Sequence, residues 1–379
     1  MKIKDFGVEI WMGLYENDCD YNLAETCVES LTVNQLLDYS GNKDALLDEI
    51  YNMKLTYGEI EGSVKLRNEI SSLYEKIDVE NITVTHGAIG ANSLSIETLV
   101  EPGDTVISVL PTYQQHYSIP ESIGANVKIL KLRPENEFLP DLEELKSYID
   151  DKTKLICINN PNNPTGALMD EEFLKKIVDI AKECDAYVLC DEVYRGLNHK
   201  GENFTKSIVD LYEKGISTGS MSKTFSLAGL RIGWVAGPKD FIKRVNKRRD
   251  YNTISCGMID DRLSVVALEN KDKIVKRNLE IVRGNVELVD EWVKNEPLIN
   301  YIKPKAGTTA FLKYNFDMKS EELCLRLLKE KSVMLVPGSS LDMEGYVRLG
   351  FANSPEIIKV GLEKISEFLK ELDVVKSNV

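Results

Sequence analysis

The chain has 379 residues, of which 43% are hydrophobic and 28% are charged, so it can bury cores that need no disulfide or metal for stability. Its 47 basic and 61 acidic residues give a formal net charge of −14, which disfavours nucleic acid and anionic membrane surfaces as partners. The seven cysteines are scattered, without a C-x-x-C pair or zinc-ligand spacing, so we expect free thiols and no metal site.

The first predicted element is an N-terminal arm, residues 1–44. Acidic residues occur among its first twenty positions, it has no apolar leader segment, and no later run is long and apolar enough to cross a membrane. We therefore expect a cytoplasmic protein. The arm shows no periodicity that fixes where it packs, and we assign it in part to the smaller of two domains.

Residues 45–280 alternate between short β-rich runs and helical patterns. The strand-like runs lie at 81–85, 104–110, 154–159, 187–192 and 231–237. Residues 169–185, between two of these runs, place their apolar side chains on one face of a helix. This alternation predicts a large α/β domain in which helices cover both faces of a mostly parallel sheet.

The pattern changes toward the C-terminus. A helical pattern at 258–293 is followed by strand-like runs within 299–315, 332–338 and 345–351, with helices at 319–331 and 354–373. Mixed strands and helices of this kind predict a smaller α+β domain. We place it at residues 281–379 and expect the helical pattern before it to bridge the two domains.

Four polar segments follow strand-like runs in the large domain. They are THGAIGA at 85–91, NNPNNPTG at 159–166, CDEVY at 190–194 and SMSKTFSLAGLRIGW at 220–234. The carboxyl ends of parallel strands meet at one edge of a sheet, where ligands bind, so we expect these segments to lie together. Taken singly, each has a plain structural interpretation: tight packing at a helix start, a turn, a helix N-cap at Asp191, and a surface lysine at Lys223.

Other catalytic motifs have little support. Neither a G-x-G-x-x-G after a strand nor a G-x-x-x-x-G-K-[ST] loop occurs, which disfavours a nucleotide-binding protein. Residues 215–219 match the G-x-S-x-G hydrolase motif, but that motif requires a histidine after the serine, and all three histidines precede Ser217.

The order and spacing of NPNNPTG, DEVY and SMSKTFSLAGLRIGW resemble the fold type I pyridoxal phosphate enzymes of the class I/II aminotransferase family. The resemblance covers residues from about 55 to 370. It implies a seven-stranded-type sheet, pyridoxal 5′-phosphate as cofactor, and a homodimer. The implied reaction transfers an amino group from an amino acid to a 2-oxo acid.

The resemblance also implies roles for particular residues. Lys223 would carry the cofactor as an aldimine and then move the substrate proton. Asp191 would keep the pyridine nitrogen protonated, so that the ring acts as an electron sink. Asn163 and Tyr194 would bond to the phenolic oxygen, and Tyr113 would stack on the ring.

The remaining implied contacts concern the phosphate and the substrate. Arg348 would bind the substrate α-carboxylate, although without the resemblance it reads as an edge-strand arginine. The implied phosphate ligands are the backbone of Gly87, Ala88 and Ile89, the side chains of Ser220, Ser222 and Arg231, and Tyr57 of the neighbouring subunit.

The arm departs from the usual Gly-x-Pro turn of the family, because residues 21–31 read YNLAETCVESL. This is similar to the arm of a branch that includes capreomycidine synthase and arginine oxidases. Glu25, together with Glu9 or Glu16, could bind a cationic substrate side chain. Alternatively, Glu25 caps or solvates the helix predicted at LTVNQLL.

Two other functions are therefore kept open. One is elimination, cyclisation or oxidation of an arginine-like amino acid, or C–S lysis, by the same cofactor. The other is a pyridoxal phosphate-binding regulatory module, which the retained Lys223 and the lack of a preceding basic helix-turn-helix segment disfavour.

Overall fold

The computed structural model describes residues 2–377. Its α-helices are α1 (Gly7–Tyr15), α2 (Val33–Ser40), α3 (Lys43–Tyr51), α4 (Val64–Ser71), α5 (Gly87–Leu99), α6 (Gln115–Ile123), α7 (Leu142–Tyr148), α8 (Glu171–Glu183), α9 (Ile208–Leu211), α10 (Lys239–Arg249), α11 (Met258–Glu269), α12 (Lys271–Lys294), α13 (Ser320–Lys331) and α14 (Pro355–Ser377). In this part of the chain, no helix combines the length and hydropathy needed to span a membrane.

Within residues 2–377 the strands form three sheets. They are β1 (Tyr21–Asn22), β2 (Ile82–His86), β3 (Thr105–Leu110), β4 (Asn126–Lys131), β5 (Thr153–Asn159), β6 (Tyr187–Asp191), β7 (Gly215–Ser220), β8 (Ile232–Ala236), β9 (Ile299–Tyr301), β10 (Thr309–Tyr314), β11 (Val333–Met334), β12 (Val336–Pro337) and β13 (Tyr346–Gly350).

The large sheet has seven strands in the order β2-β8-β7-β6-β5-β3-β4. Strand β8 is antiparallel to both of its neighbours, and the other pairs are parallel. Alternate residues of β5 enter different apolar cores: Leu155 packs with α5 and α10, whereas Ile156 packs in the core that contains α8 and α12. Helices therefore cover both faces, which confirms the predicted α/β fold.

A four-stranded antiparallel sheet, in the order β12-β13-β10-β9, forms the C-terminal part with α13 and α14. Helix α12 has 24 residues and includes position 280, the predicted domain boundary. The helix is long because its apolar side chains recur at helical spacing on a single face, from Ile274 to Val289.

The N-terminal arm packs on this C-terminal part. Strand β1 pairs in parallel with β11, Trp11 Nε1 donates to Leu335 O at 2.8 Å, and Gly350 N donates to Leu23 O at 2.7 Å. These contacts carry the segment Ala24–Cys27 to the carboxyl edge of the large sheet, where it lines a cavity.

Candidate active site

A cavity of about 320 Å³ lies at the carboxyl ends of the large-sheet strands. The predicted site residues that line it are Glu25, Ala88, Ile89, Tyr113, Asn163, Asp191, Tyr194, Ser220, Ser222, Lys223, Arg231 and Arg348. Gly87 begins α5 beside Arg231, and Tyr57 lies outside the cavity, 76% exposed. The four polar segments of the large domain therefore meet, as we predicted from the strand ends.

One end of the cavity combines a helix N-terminus with a guanidinium group. Gly87 has φ +64°, and a Cβ added there would lie 2.8 Å from Arg231 Nη2, so glycine allows this close approach. The Gly87 N–H donates to Arg231 O at 2.8 Å, which leaves the N–H groups of Ala88 and Ile89 at the start of α5 to face an anion. The Gly87 N–H thus already has a backbone partner, and the role of Gly87 as a phosphate ligand stays a prediction.

Asp191 ends β6 and is buried. Its Oδ2 accepts from Asn92 Nδ2 at 2.8 Å, its Oδ1 accepts from Val193 N at 3.2 Å, and His116 Nε2 lies 3.8 Å from Oδ2. Burial lowers the pKa of His116 despite the nearby carboxylate, so its ring is neutral at pH 7. No helix begins at Asp191, so the N-cap interpretation is wrong.

Lys223 lies in the loop after β7, and its amine faces the arm. Nζ donates to Thr26 Oγ1 at 2.7 Å and to Cys27 Sγ at 3.2 Å, so the surface-lysine interpretation is wrong. Burial alone would lower the pKa of Lys223, but Cys27, Tyr194 and Glu25 outweigh burial and raise it. Thr26 and Cys27 were not among the predicted site residues, because nothing local in the arm indicates a contact with a lysine almost 200 residues away.

Glu25 lines the cavity, but its carboxylate also orders its own loop. Oε1 accepts from Thr26 N at 2.7 Å and from Cys27 N at 2.6 Å. Burial would raise the pKa of Glu25, but the charge of Lys223 and these N–H donors lower it, so the group is ionised. Helix α2 is capped by Thr32 in a capping box, so the alternative that Glu25 caps this helix is wrong.

Arg348 is a buried cation whose side-chain hydrogen bonds, among the described residues, go to an amide oxygen and a backbone carbonyl. Nη1 donates to Asn163 Oδ1 at 3.3 Å and Nη2 donates to Ala24 O at 3.1 Å, whereas Nε has no partner within the described residues. Strand β13 lies between β12 and β10, so the edge-strand interpretation is wrong. A buried guanidinium with unused donors is suited to a planar anion such as a carboxylate.

The cavity wall formed by α1 is acidic. Glu9 and Glu16 line it, and Tyr113 OH donates to Glu9 Oε1 at 2.7 Å. The Tyr113 ring also packs on Phe6, with centroids 4.8 Å apart. Burial and Glu9 raise the pKa of Tyr113, so it stays a phenol and a hydrogen-bond donor.

Ser217, the serine of the G-x-S-x-G match, is fully buried in β7. Its hydroxyl donates to Glu192 Oε2 at 2.8 Å and lies 3.1 Å from Tyr74 OH. The Ser217 hydroxyl is therefore part of a buried hydrogen-bond network and is not placed to act as a nucleophile.

The polar groups that line the cavity match the functional groups of pyridoxal phosphate. A phosphate fits the α5 N-terminus and Arg231, where an added Cβ at Gly87 would collide with the guanidinium. A buried carboxylate, Asp191, suits the pyridine nitrogen, and the Lys223 amine suits the aldehyde. Since Arg348 Nε has no partner in the described part of the chain and could donate to a substrate carboxylate, the residues present fit both cofactor and substrate.

Comparisons with known proteins agree with this geometry. Residues 9–365 match the family model for aminotransferase class I and II. A capreomycidine synthase from Streptomyces vinaceus is 31% identical over 309 residues, 81% of this chain and 79% of the relative. An aspartate aminotransferase from Pyrococcus horikoshii is 32% identical over 319 residues, 82% of each chain. The crystal structure of a PLP-dependent aminotransferase from Streptococcus suis 89-1591 has a TM-score of 0.95 and 45% identity, covering 98% of this chain and 99% of that one. The chain therefore belongs to the class I and II aminotransferases, pyridoxal phosphate-dependent transferases of fold type I.

Proposed function

We propose that the chain transfers an amino group from an amino acid to a 2-oxo acid. One observation carries the proposal: the amine of Lys223, the carboxylate of Asp191 and the guanidinium of Arg348 line the same cavity. A proton carrier, a group that stabilises positive charge on the cofactor ring and an α-carboxylate site are thus available together.

Each of these residues has a distinct task. When bound, pyridoxal phosphate supplies the electron sink for the electrons left when the substrate loses its Cα proton. Asp191 would hold the positive charge at the ring nitrogen, and Asn163 and Tyr194 would hydrogen-bond the phenolic oxygen. Arg348 binds the substrate carboxylate and fixes the direction of the Cα–H bond.

With the cofactor bound, the Lys223 amine would take up the Cα proton and deliver it to the cofactor carbon on the other side of the substrate nitrogen. Thr26 Oγ1 and Cys27 Sγ hold the free amine in the cavity. Because the segment Ala24–Cys27 also accepts a hydrogen bond from Arg348, one loop orders both the proton carrier and the carboxylate site.

The reaction is tested by supplying single amino acids without any 2-oxo acid. A transaminase stops after forming about one 2-oxo acid per site, because the amino group then stays on the cofactor. Continued product formation without an acceptor would contradict transamination and favour the second candidate function.

That second candidate is elimination, cyclisation or oxidation of an arginine-like amino acid. Glu9 on α1, Glu16 directly after α1 and Glu25 give the substrate side of the cavity an excess of carboxylates, which suits a cationic side chain. The capreomycidine synthase relative, 31% identical, is consistent with such a substrate.

Glu9→Gln tests the acidic wall. Glutamine keeps an acceptor for Tyr113 OH but removes the charge, so we expect kcat/KM for arginine to fall about tenfold while the value for alanine is unchanged. Glu29→Gln is the control, because Glu29 is an exposed arm carboxylate that pairs with Arg277. Equal losses for arginine and alanine would exclude a charge-based role for Glu9.

We also propose that the active unit is a homodimer in which Tyr57 reaches the phosphate site of the partner. The segment 51–64 exposes Tyr51, Leu55, Tyr57, Ile60 and Val64, each about half or more accessible. Adjacent exposed apolar side chains of this kind favour a protein interface.

Mixed dimers test this arrangement. We expect Lys223→Ala and Tyr57→Ala subunits, each nearly inactive alone, to regain activity when co-expressed. If Tyr57 acts across the interface, a mixed dimer has one site with both native residues, so about a quarter of all sites are restored in a statistical mixture. Tyr57 acting within its own chain predicts no restored sites, since every site would then lack one residue.

A further inference from the structure

Asn92 lies in the second turn of α5, and both ends of its side-chain amide are used. Nδ2 donates to Asp191 Oδ2 at 2.8 Å, and Oδ1 accepts from Thr218 Oγ1 at 2.7 Å. Asn92 and Thr218 are 1% and 0% exposed. The hydroxyl of Thr218 can donate only to the amide oxygen, so it fixes the amide with its NH₂ group toward Asp191.

Asparagine is an unfavourable residue at this position unless it has such a task. It is a poor helix former, and the neighbouring α5 residues Ala91, Leu94 and Ile96 pack in an apolar core. A buried amide without partners is destabilising, whereas an apolar side chain would pack there without that cost. The contact with Asp191 is therefore the feature that distinguishes Asn92 from its helical neighbours.

Three titratable groups that interact with Asp191 carry no positive charge. They are His116 on α6, Tyr113 before α6 and Cys190 on β6. Burial lowers the pKa of His116 and raises the pKa of Tyr113 and Cys190, so all three are neutral at pH 7. His116 Nε2 lies 3.8 Å from Asp191 Oδ2, so the Asn92 amide at 2.8 Å is the shorter side-chain contact.

We propose that Asn92 is a positioning residue that holds the Asp191 carboxylate in the orientation that supports a protonated pyridine nitrogen in the cofactor. This rests on the proposed role of Asp191. A hydrogen bond donated to a buried carboxylate stabilises its charged form, and its loss favours the neutral acid, which does not stabilise a pyridinium ion.

The position of Asn92 on α5 adds a geometric consequence. The same helix begins at Gly87, beside the proposed phosphate site, and Asn92 lies about 7.5 Å of helix rise further on. One rigid helix thus connects the phosphate site with the residue that orients Asp191. A displacement of α5 would move both anchoring points of the cofactor together.

The protonation of the ring nitrogen can be followed directly. We would load the protein with cofactor labelled with ¹⁵N in the pyridine ring and record its NMR shift against pH. In Asn92→Leu we expect the nitrogen to lose its proton about one to two pH units lower than in the unaltered protein, and cofactor affinity to fall about tenfold. Thr218→Val should shift the titration in the same direction by less. Asn92 then keeps its side chain beside Asp191 but loses the hydroxyl that fixes the orientation of its amide.

Ser95→Ala is the matched control. Ser95 is another fully buried polar residue of α5, and its hydroxyl has no partner within the described residues. It should leave the nitrogen titration unchanged, so a shift as large as that of Asn92→Leu would show a general effect of altering α5 and would overturn the proposal.

Asn92→Asp separates positioning from packing, because the two side chains have nearly the same shape. At high pH two facing carboxylates repel, whereas at lower pH the shared proton restores a donor to Asp191. We therefore expect cofactor affinity to recover as the pH falls. A loss of affinity that does not depend on pH would overturn the proposal, and this variant decides the question if Asn92→Leu does not fold.

Asp191→Asn serves as the reference. If it shifts the nitrogen titration and the folded Asn92 variants do not, the inference about Asn92 is wrong and the role of Asp191 stands. If Asp191→Asn leaves the titration unchanged, the proposed role of Asp191 itself is wrong.

Discussion

Replacement of Lys223 by alanine is expected to abolish covalent attachment of pyridoxal phosphate and nearly all turnover. The Lys223 amine lies inside the cavity, where it donates hydrogen bonds to the hydroxyl of Thr26 and the thiol of Cys27. Loss of a positioned acid–base group alone lowers rates about 10²–10⁴-fold, and loss of the covalent link adds to this. Turnover and the visible absorbance of bound cofactor are the two measurements.

Lys128→Ala is a suitable control for this experiment. Lys128 is also partly buried and hydrogen-bonded, to Tyr148 O and Asp150 Oδ2, but it lies on β4 at the edge of the sheet. It should retain full activity. If Lys223→Ala retained the lysine-linked absorbance band, the role of Lys223 would be wrong.

The second large effect is expected for Asp191→Ala. Without the carboxylate, the ring nitrogen loses the charge that stabilises its protonated form, and we expect kcat to fall at least about 10²–10³-fold. Arg348 remains in place, so binding of the substrate carboxylate should be less affected. Steady-state kinetics with saturating cofactor separates the two effects.

Substitution of the neighbouring carboxylate, Glu192, is expected to affect stability and not the bound cofactor. Glu192 accepts hydrogen bonds from Ser207 Oγ, Ile208 N and Ser217 Oγ, and burial raises its pKa. These contacts tie β6 to β7 and α9, so Glu192→Gln should lower the melting temperature without changing the spectrum of bound cofactor. A loss of activity in Glu192→Gln equal to that in Asp191→Ala would contradict the distinct roles of the two residues.

Much of the large sheet could be predicted from the sequence because most of its strands are short, buried, apolar runs, although β7, with the sequence GISTGS, has no such run and its bounds were not predicted. Strand β4 was missed: it pairs only with β3, and its exposed Asn126 and Lys131 interrupt the apolar pattern. The helix predicted within 169–185 is confirmed, since Leu174, Ile177 and Ala181 are buried on one face of α8.

The location of the arm could not be predicted, since it depends on partners far away in the chain. Strand β1 has two residues, and the sequence around them contains no pattern that indicates pairing with Val333 and Met334. The contacts of Thr26 and Cys27 with Lys223 follow from that pairing, so they could not be predicted either.

The site residues that directly follow strands of the large sheet could be predicted from the sequence. Asp191 and Lys223 follow β6 and β7, and parallel strands bring such residues to one edge of the sheet. Asn92 was missed because it lies inside a helix, where a single polar residue resembles a solvent-facing position until its burial is known. Its partners, Asp191 and Thr218, lie on other elements.

The most direct test of the account is to identify the residue that carries the cofactor. The purified holoprotein is reduced with borohydride, digested, and its peptides are analysed by mass spectrometry. We predict a single pyridoxyl-modified peptide with the modification on Lys223. Modification of a different lysine, or none in a protein that binds the cofactor stoichiometrically, would contradict the account of this active site.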